Sequence, residues 1–259
     1  MAKKTDEMPV MEHLEELRRV FIVSIIATIV LAVVAYFFID QILAVLMEPL
    51  TRLDQKVNFL GVTEPIFVKL KLSLFAGLLA AMPIILWQIW SFVVPALKKN
   101  ERVAFTVFVL ISFLCFIGGV AFGFFGVFRY GVTFLLQLAG PTLAPMLTID
   151  KYISFTISFL LPFGIVFEFP LISYFLARLG LISYAFLAKN RRYAILASVV
   201  IAAVITPTPD IITCLIVSGP MYLLFEFSVL VVRITEGRIK RRKKREELAE
   251  MAEAHPQQP

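Results

Sequence analysis

Residues 103–128 read VAFTVFVLISFLCFIGGVAFGFFGVF, 26 consecutive positions without one charged side chain. A helix rises ~1.5 Å per residue, so ~20 apolar residues cross the ~30 Å hydrocarbon core of a bilayer. This stretch spans with residues to spare. Working outward, charged or proline-rich breaks set off five more apolar runs: Val20–Ile39, Ile66–Trp90, Tyr152–Ala177, Tyr193–Ile205 and Ile211–Val232. Lys69 and Lys71 interrupt the second run near its start. The fifth has only 13 residues before Thr206-Pro207-Thr208-Pro209-Asp210, or ~20 Å of helix. That is too short for an unperturbed bilayer, and implies local thinning or support from neighbours beside a watery recess. The predicted fold is all-α: a polytopic membrane protein of six transmembrane helices, the fifth and sixth forming a short hairpin. Pro83, Pro162, Pro170 and Pro220 are expected to kink their helices, consistent with a concave bundle.

Composition supports the same class and removes several functions. The 259 residues are 59% hydrophobic and 17% charged, with 25 phenylalanines, against ~45–50% and ~25% in soluble domains. A soluble globule could not hide so much apolar side chain. The two histidines, His13 and His255, lie in polar end segments, so no buried haem or His-ligated metal is expected. Cys115 and Cys214 fall in separate apolar runs, which excludes a CxxC pair and reads as packing thiols. Neither GxxxxGKS nor GxxxxGKT occurs, nor HExxH or GxSxG, so P-loop nucleotide hydrolysis and two common hydrolase chemistries are excluded. No metal, cofactor or catalytic residue is expected.

An even number of spans puts both ends on one side of the membrane. With the N-terminus inside, 19 of the 25 basic residues fall on inside segments. These are Lys3, Lys4, Arg18 and Arg19; Lys98, Lys99 and Arg102; Arg178, Lys189, Arg191 and Arg192; and eight from Arg233 onward. The outside loops and their margins hold Arg52, Lys56, Lys69, Lys71, Arg129 and Lys151. This asymmetry predicts that both termini are cytoplasmic. Residues 1–19 then form a cytoplasmic N-terminal segment and 20–232 the transmembrane domain. Residues 233–259 form a basic tail, expected to be disordered at its end. Asp6, Glu7, Glu12, Glu15 and Glu16 set the first segment apart from a cleavable signal peptide. The basic block Arg238–Arg245 reads as a lipid-facing topogenic cluster rather than a nucleic-acid site.

An acidic side chain inside a span costs ~2.5–3.5 kcal/mol on insertion scales, so each one asks for a reason. Glu168, in Gly164-Ile-Val-Phe-Glu-Phe-Pro170, lies deep in the fourth run, and Glu226 about two turns before Arg233 in the sixth. Asp210 closes the Thr-Pro-Thr-Pro turn. Either carboxyl could be satisfied within the chain or form a polar socket for another subunit's helix; the socket is favoured at Glu168 and the internal contact at Glu226. The pattern Gly118-Gly-Val-Ala-Phe-Gly123, with Gly126, suits close helix approach. Trp87, Trp90 and Tyr36 sit near span ends, as interfacial anchors do. On the inside, Glu12, Glu15, Glu16 and Arg19 share one helical face before the first span. Glu101 stands beside Arg102 in a basic loop. It either caps the following helix or receives guanidinium groups, which carboxylates bind bidentately.

Six elements in order resemble the TatC family, the multispanning component of the twin-arginine protein translocase. They are His13-Leu-Glu-Glu-Leu-Arg18, Pro49-Leu50, Phe92-Val-Val-Pro-Ala-Leu97 with Glu101-Arg102, Phe167-Glu-Phe-Pro170, Ile205-Thr-Pro-Thr-Pro-Asp210 and Pro220-Met-Tyr-Leu-Leu-Phe-Glu226. Val20 departs slightly, standing where many members carry a third basic residue. The resemblance implies a receptor for twin-arginine signal peptides of folded cargo, sited in the cytoplasmic (inner) membrane. It would work in a hetero-oligomer with TatA-type and TatB-type single-span subunits, driven by the proton gradient. It assigns Glu101 and Glu16 to the arginine pair, with Phe92, Pro95, Arg18 and Arg102 shaping the patch. Glu168, with Phe167 and Pro170, would meet partner helices, as would the fifth and sixth helices with Met221 and Glu226. Pro49 would belong to an outer cap, and Asp210 to the outer turn. Two other classes fit the sequence less well. A secondary transporter would want midplane ion ligands and repeat symmetry, and an intramembrane enzyme a catalytic pair at matched depth; the spans offer neither.

Overall fold

The computed structural model describes residues 10–55, 57–93, 102–138, 146–206 and 211–254. All six apolar runs are helical, because in lipid the backbone groups must find their partners within the segment. In chain order the helices are α1 (Val10–Tyr36), α2 (Ile39–Thr51), α3 (Glu64–Val93), α4 (Arg102–Ala121), α5 (Arg129–Leu138), α6 (Ile149–Phe167), α7 (Phe169–Arg178), α8 (Tyr184–Lys189), α9 (Arg191–Ile205) and α10 (Ile211–Ala254). A wide π-helical stretch, Phe122–Phe128, joins α4 to α5. Two two-residue strands, β1 (Val57–Asn58) and β2 (Leu147–Thr148), pair in parallel. Five stretches are long and apolar enough to cross a membrane: Leu14–Tyr36, Glu64–Phe92, Phe105–Gln137, Ile149–Arg178 and Ile211–Arg242. The sixth, α9, has 15 residues, about 22 Å of helix, and is short as expected.

The last helix is not short. α10 runs 44 residues without a break, because nothing after Val232 stops it. Thr235 and Gly237 are the weak helix formers between Val232 and Ala254, and the rest, apart from Ile234 and Ile239, are Arg, Lys, Glu, Leu, Ala and Met, which favour the helix. Three of the four span prolines also leave their helices continuous: Pro83 within α3, Pro162 within α6 and Pro220 within α10. Only at Pro170 does a helix end and restart, with Glu168 at the N-cap position of α7.

The chain divides into two compact units, residues 1–160 and 161–259, the division falling inside α6. In the first, α3 lies against both α1 and α4. Leu72, Ala81 and Val68 of α3 are buried, as are Phe116 of α4 and Ile153 and Leu160 of α6. Trp90 is buried against α4: its indole N–H donates to Ser112 Oγ at 3.2 Å, and its ring meets Phe108 edge-on at 4.6 Å. It is a packing residue, whereas Trp87 keeps the partial exposure of an anchor. Phe128 gathers Phe124, Tyr152, Phe155 and Phe159 within 6 Å, centroid to centroid.

The segment expected as a plain outer loop contains α2, which buries Ile39, Leu46, Pro49 and Leu50. Polar bonds tie it down. Tyr152 OH donates to the Leu46 carbonyl at 2.8 Å, and Glu48 pairs with Arg52 and, at 3.2 Å, with Arg129. Lys69 meets Asp40 at 2.7 Å; Lys71 meets Asp150 at 2.5 Å and donates to Ser154 at 2.7 Å. Glu64 accepts from the backbone N–H of Leu60 and of Asp150, joining the loop before α3 to the start of α6. The lysines that interrupt the second apolar run are thus ion-paired.

In the second unit, α10 packs against α7, α8 and α9. Ala177, Leu187, Val229 and Val232 form its core, with Ile182, Tyr184 and Phe225 around them. α7 ends at Gly180, whose φ of 76° lets Leu181 N–H reach the Leu176 carbonyl and Gly180 N–H the Ala177 carbonyl. Ser183 caps α8, accepting from Phe186 N–H. Tyr184 N–H donates to Glu236 at 2.7 Å while Arg233 stands over the Tyr184 ring, which fixes α8 on α10.

Candidate functional site

Two places carry the candidate residues, one in each unit. In the first, position follows from how α1 and α3 meet. Gly77 lies against α1 so closely that a Cβ there would stand 2.4 Å from Ala32 N and 2.5 Å from Ala32 Cα. The helices are antiparallel, since Tyr36 shares a furrow with Leu70 while Ala32 meets Gly77. Counting back from Ala32 to Glu16, and on from Gly77 to Phe92, covers about 23 Å of helix in each case. Glu16 and Phe92 therefore reach one level at the same end of the pair. Arg18 is one residue pair along on α1; Glu16 and Arg18 are exposed and Phe92 is half-buried.

The start of α4 is held at this level too. Trp87 meets Phe105 edge-on at 4.9 Å and Trp90 meets Phe108 at 4.6 Å. Arg102, the first residue of α4, is thereby set beside the end of α3. By this count Glu16, Arg18, Phe92 and the backbone of Arg102 lie toward the same end of the first unit. Glu101 and Pro95 lie outside the described residues, as does Asp210 in the second unit. Gly118 has nothing within 4 Å of a Cβ placed on it, and the nearest atoms to one on Gly126 belong to Phe122; Gly119 and Gly123, the two glycines of the GxxxG pattern, are both buried. Gly77, which stands in no GxxxG pattern, makes the tight contact with α1.

In the second unit Glu168 is 6% exposed, between α6 and α7. Pro170 supplies no N–H to Val166, four residues back, so the helix breaks and the Glu168 carbonyl becomes the first acceptor of α7. It receives Leu171 N–H at 3.0 Å and Ile172 N–H at 2.9 Å. Phe167 and Pro170 are half-buried beside it, and Met221 of α10 is buried. Phe169 meets Phe225 at 6.4 Å, and Phe225 stacks on Tyr222 at 6.2 Å.

Glu226 has its partners inside the chain. Arg191 Nε lies 2.9 Å from Oε1, Arg191 donates a second bond of 2.9 Å to Oε2, and Tyr222 OH donates to Oε1 at 2.7 Å. The partners are one turn away and 35 residues away, so only the tertiary fold shows the two-pronged pair. Arg191→Met is expected to lower the melting stability of the purified protein by about 1–2 kcal/mol, below a buried pair because both groups are partly exposed. Arg191→Met combined with Glu226→Met should recover much of that loss. Strictly additive losses would show that the pair contributes nothing.

A family described as Sec-independent protein translocase protein (TatC) matches residues 12–220. The chain belongs to the TatC family. The TatC of Carboxydothermus hydrogenoformans is 45% identical over 226 residues, covering 87% of this chain and 93% of that protein. The TatC of Desulforapulum autotrophicum is 39% identical over 237 residues, 90% and 87% of the two chains. Among solved structures, a crystal structure of the twin-arginine translocase receptor TatC superposes with a TM-score of 0.78 at 36% identity. It covers 86% of this chain and 99% of its own. As a TatC protein with apolar spans, the chain is a multi-pass membrane component of a protein translocase.

Proposed function

We propose that this chain is the receptor of a twin-arginine translocase: it binds paired-arginine signal peptides beside the start of α1 and the end of α3 and passes folded cargo outward with single-span partners. It is not an enzyme; TatA-type and TatB-type subunits dock on it, and the proton gradient drives export. The convergence of Glu16, Arg18 and Phe92 on one end of the first unit supports the reading most, because the family's remaining patch residues, Pro95 and Glu101, fall in sequence between Phe92 and Arg102. Carboxylates in an otherwise basic region select a doubly guanidinium ligand; lysine, a point charge, fits less well. The distribution of basic residues supports cytoplasmic termini, as expected of an inner-membrane protein of this kind. Of the six basic residues assigned outside, four are ion-paired: Arg52, Lys69, Lys71 and Arg129.

Glu168, with Phe167, Pro170 and Met221, forms the partner-helix contact in this reading. The test is export of a folded reporter behind a twin-arginine signal in cells that depend on this chain. Glu168→Gln keeps a hydrogen-bonding amide and should retain most export. Glu168→Ala should reduce export at least tenfold and lose crosslinks to a TatB-type helix, while signal-peptide binding survives. If a lysine pair in the signal exports as well as the arginine pair, the receptor reading fails. If Glu168→Leu melts several degrees lower than the parent, Glu168 is a strut within this chain and its docking role fails.

A further inference from the structure

Where α1 meets the first turns of α3, a furrow of about 430 Å³ opens on the surface of the first unit. Ile29, Val33 and Tyr36 form one wall, and Leu70 and Leu74 the other. Ser73 also lines it, but its hydroxyl donates to the Lys69 carbonyl at 2.7 Å, which leaves the wall apolar. The volume falls within the ~300–1,000 Å³ of small-molecule sites. No residue of the α1 apolar window is buried, so the furrow opens where α1 faces hydrocarbon. Next to the lining residues Leu70, Tyr36 and Phe37 stands the Lys69–Asp40 ion pair, 2.7 Å across, with Asp40 76% exposed and Lys69 36%. Phe37 and Phe38, both largely exposed, mark this end of α1 as an interfacial belt.

We propose that the furrow is a binding site for one phospholipid with a phosphoethanolamine headgroup. The acyl chain lies between α1 and α3, the phosphate meets the Lys69 ammonium, and the headgroup ammonium meets the Asp40 carboxylate. The charge pattern selects this lipid. An anionic headgroup such as phosphatidylglycerol gains Lys69 but faces the Asp40 charge. A choline headgroup carries no N–H for Asp40 to accept. Only a primary ammonium beside a phosphate complements both halves of the pair with charge-assisted hydrogen bonds. The lipid would also fill the gap beside the Gly77–Ala32 contact and hold α1 at its angle to α3.

The experiment is native mass spectrometry of the purified full chain in detergent, mixed with equal amounts of phosphatidylethanolamine, phosphatidylglycerol and phosphatidylcholine. One phosphatidylethanolamine per chain should be retained in preference to the others. Lys69→Met and Asp40→Asn should each lower its retention roughly tenfold, as expected for losing one charge-assisted bond. Both sites are partly exposed, so melting temperature should stay near that of the parent. Val33→Trp, which fills the furrow and leaves the ion pair intact, should also release the lipid. Equal retention of all three lipids would mean ordinary annular lipid and overturn the proposal. So would a preference for phosphatidylglycerol, or phosphatidylethanolamine retention unchanged in both charge variants.

Discussion

Gly77→Ala should destabilise the purified protein by about 1–3 kcal/mol, the range for overpacking a well-filled contact. The added methyl would lie 2.4–2.5 Å from the backbone of Ala32, which cannot rotate away as a flexible side chain could. α1 must move as a body. Because α1 carries Glu16 and Arg18, the displacement reaches the proposed recognition end, and twin-arginine peptide affinity should fall as well. Gly118→Ala is the control. Its Cβ meets nothing within 4 Å, so it should be neutral or gain up to ~1 kcal/mol from helix propensity. Thermal melts of both variants in one detergent distinguish the cases. Equal behaviour of Gly77→Ala and Gly118→Ala would mean that α1 and α3 do not touch as closely as described.

Those two glycines also show what was legible in the sequence. A glycine marks a backbone that could approach a neighbour, and the neighbour decides whether it does. Six apolar runs and the short fifth helix were readable because length and hydropathy are properties of a segment alone. Partners across the fold were not. Arg191 and Glu226 are 35 residues apart, and Lys71 and Asp150 are 79 apart. For the same reason Lys69 and Lys71 read as interruptions of a span until Asp40 and Asp150 met them. α2 gives no span signal because its apolar residues are fewer than a span needs, although Ile39, Leu46 and Leu50 share a buried face. The continuation of α10 was hidden by charge: a basic block reads as a tail, yet its residues are good helix formers.

The patch at the start of α1 was readable only through family likeness. Glu16 and Glu15 are both exposed, and spacing could not prefer one over the other. What the fold adds is a level: Glu16, Phe92 and the start of α4 reach one end of the first unit. Glu16→Gln should therefore weaken peptide binding less than Glu101→Gln, since Glu12 and Glu15 remain nearby to supply charge.

The decisive measurement is the affinity of the purified protein for a twin-arginine signal peptide, with the Glu101→Gln variant and a twin-lysine peptide as comparisons. The account predicts a loss of ~1.5–3 kcal/mol for Glu101→Gln, or roughly ten- to a hundredfold, the worth of a charge-assisted hydrogen bond. The twin-lysine peptide should lose a comparable factor against the parent protein, and far less against Glu101→Gln, because the two changes remove the same interaction. Melting temperature should stay unchanged. Parent-like affinity in Glu101→Gln, with arginine and lysine peptides bound equally, would contradict recognition of the arginine pair by this chain.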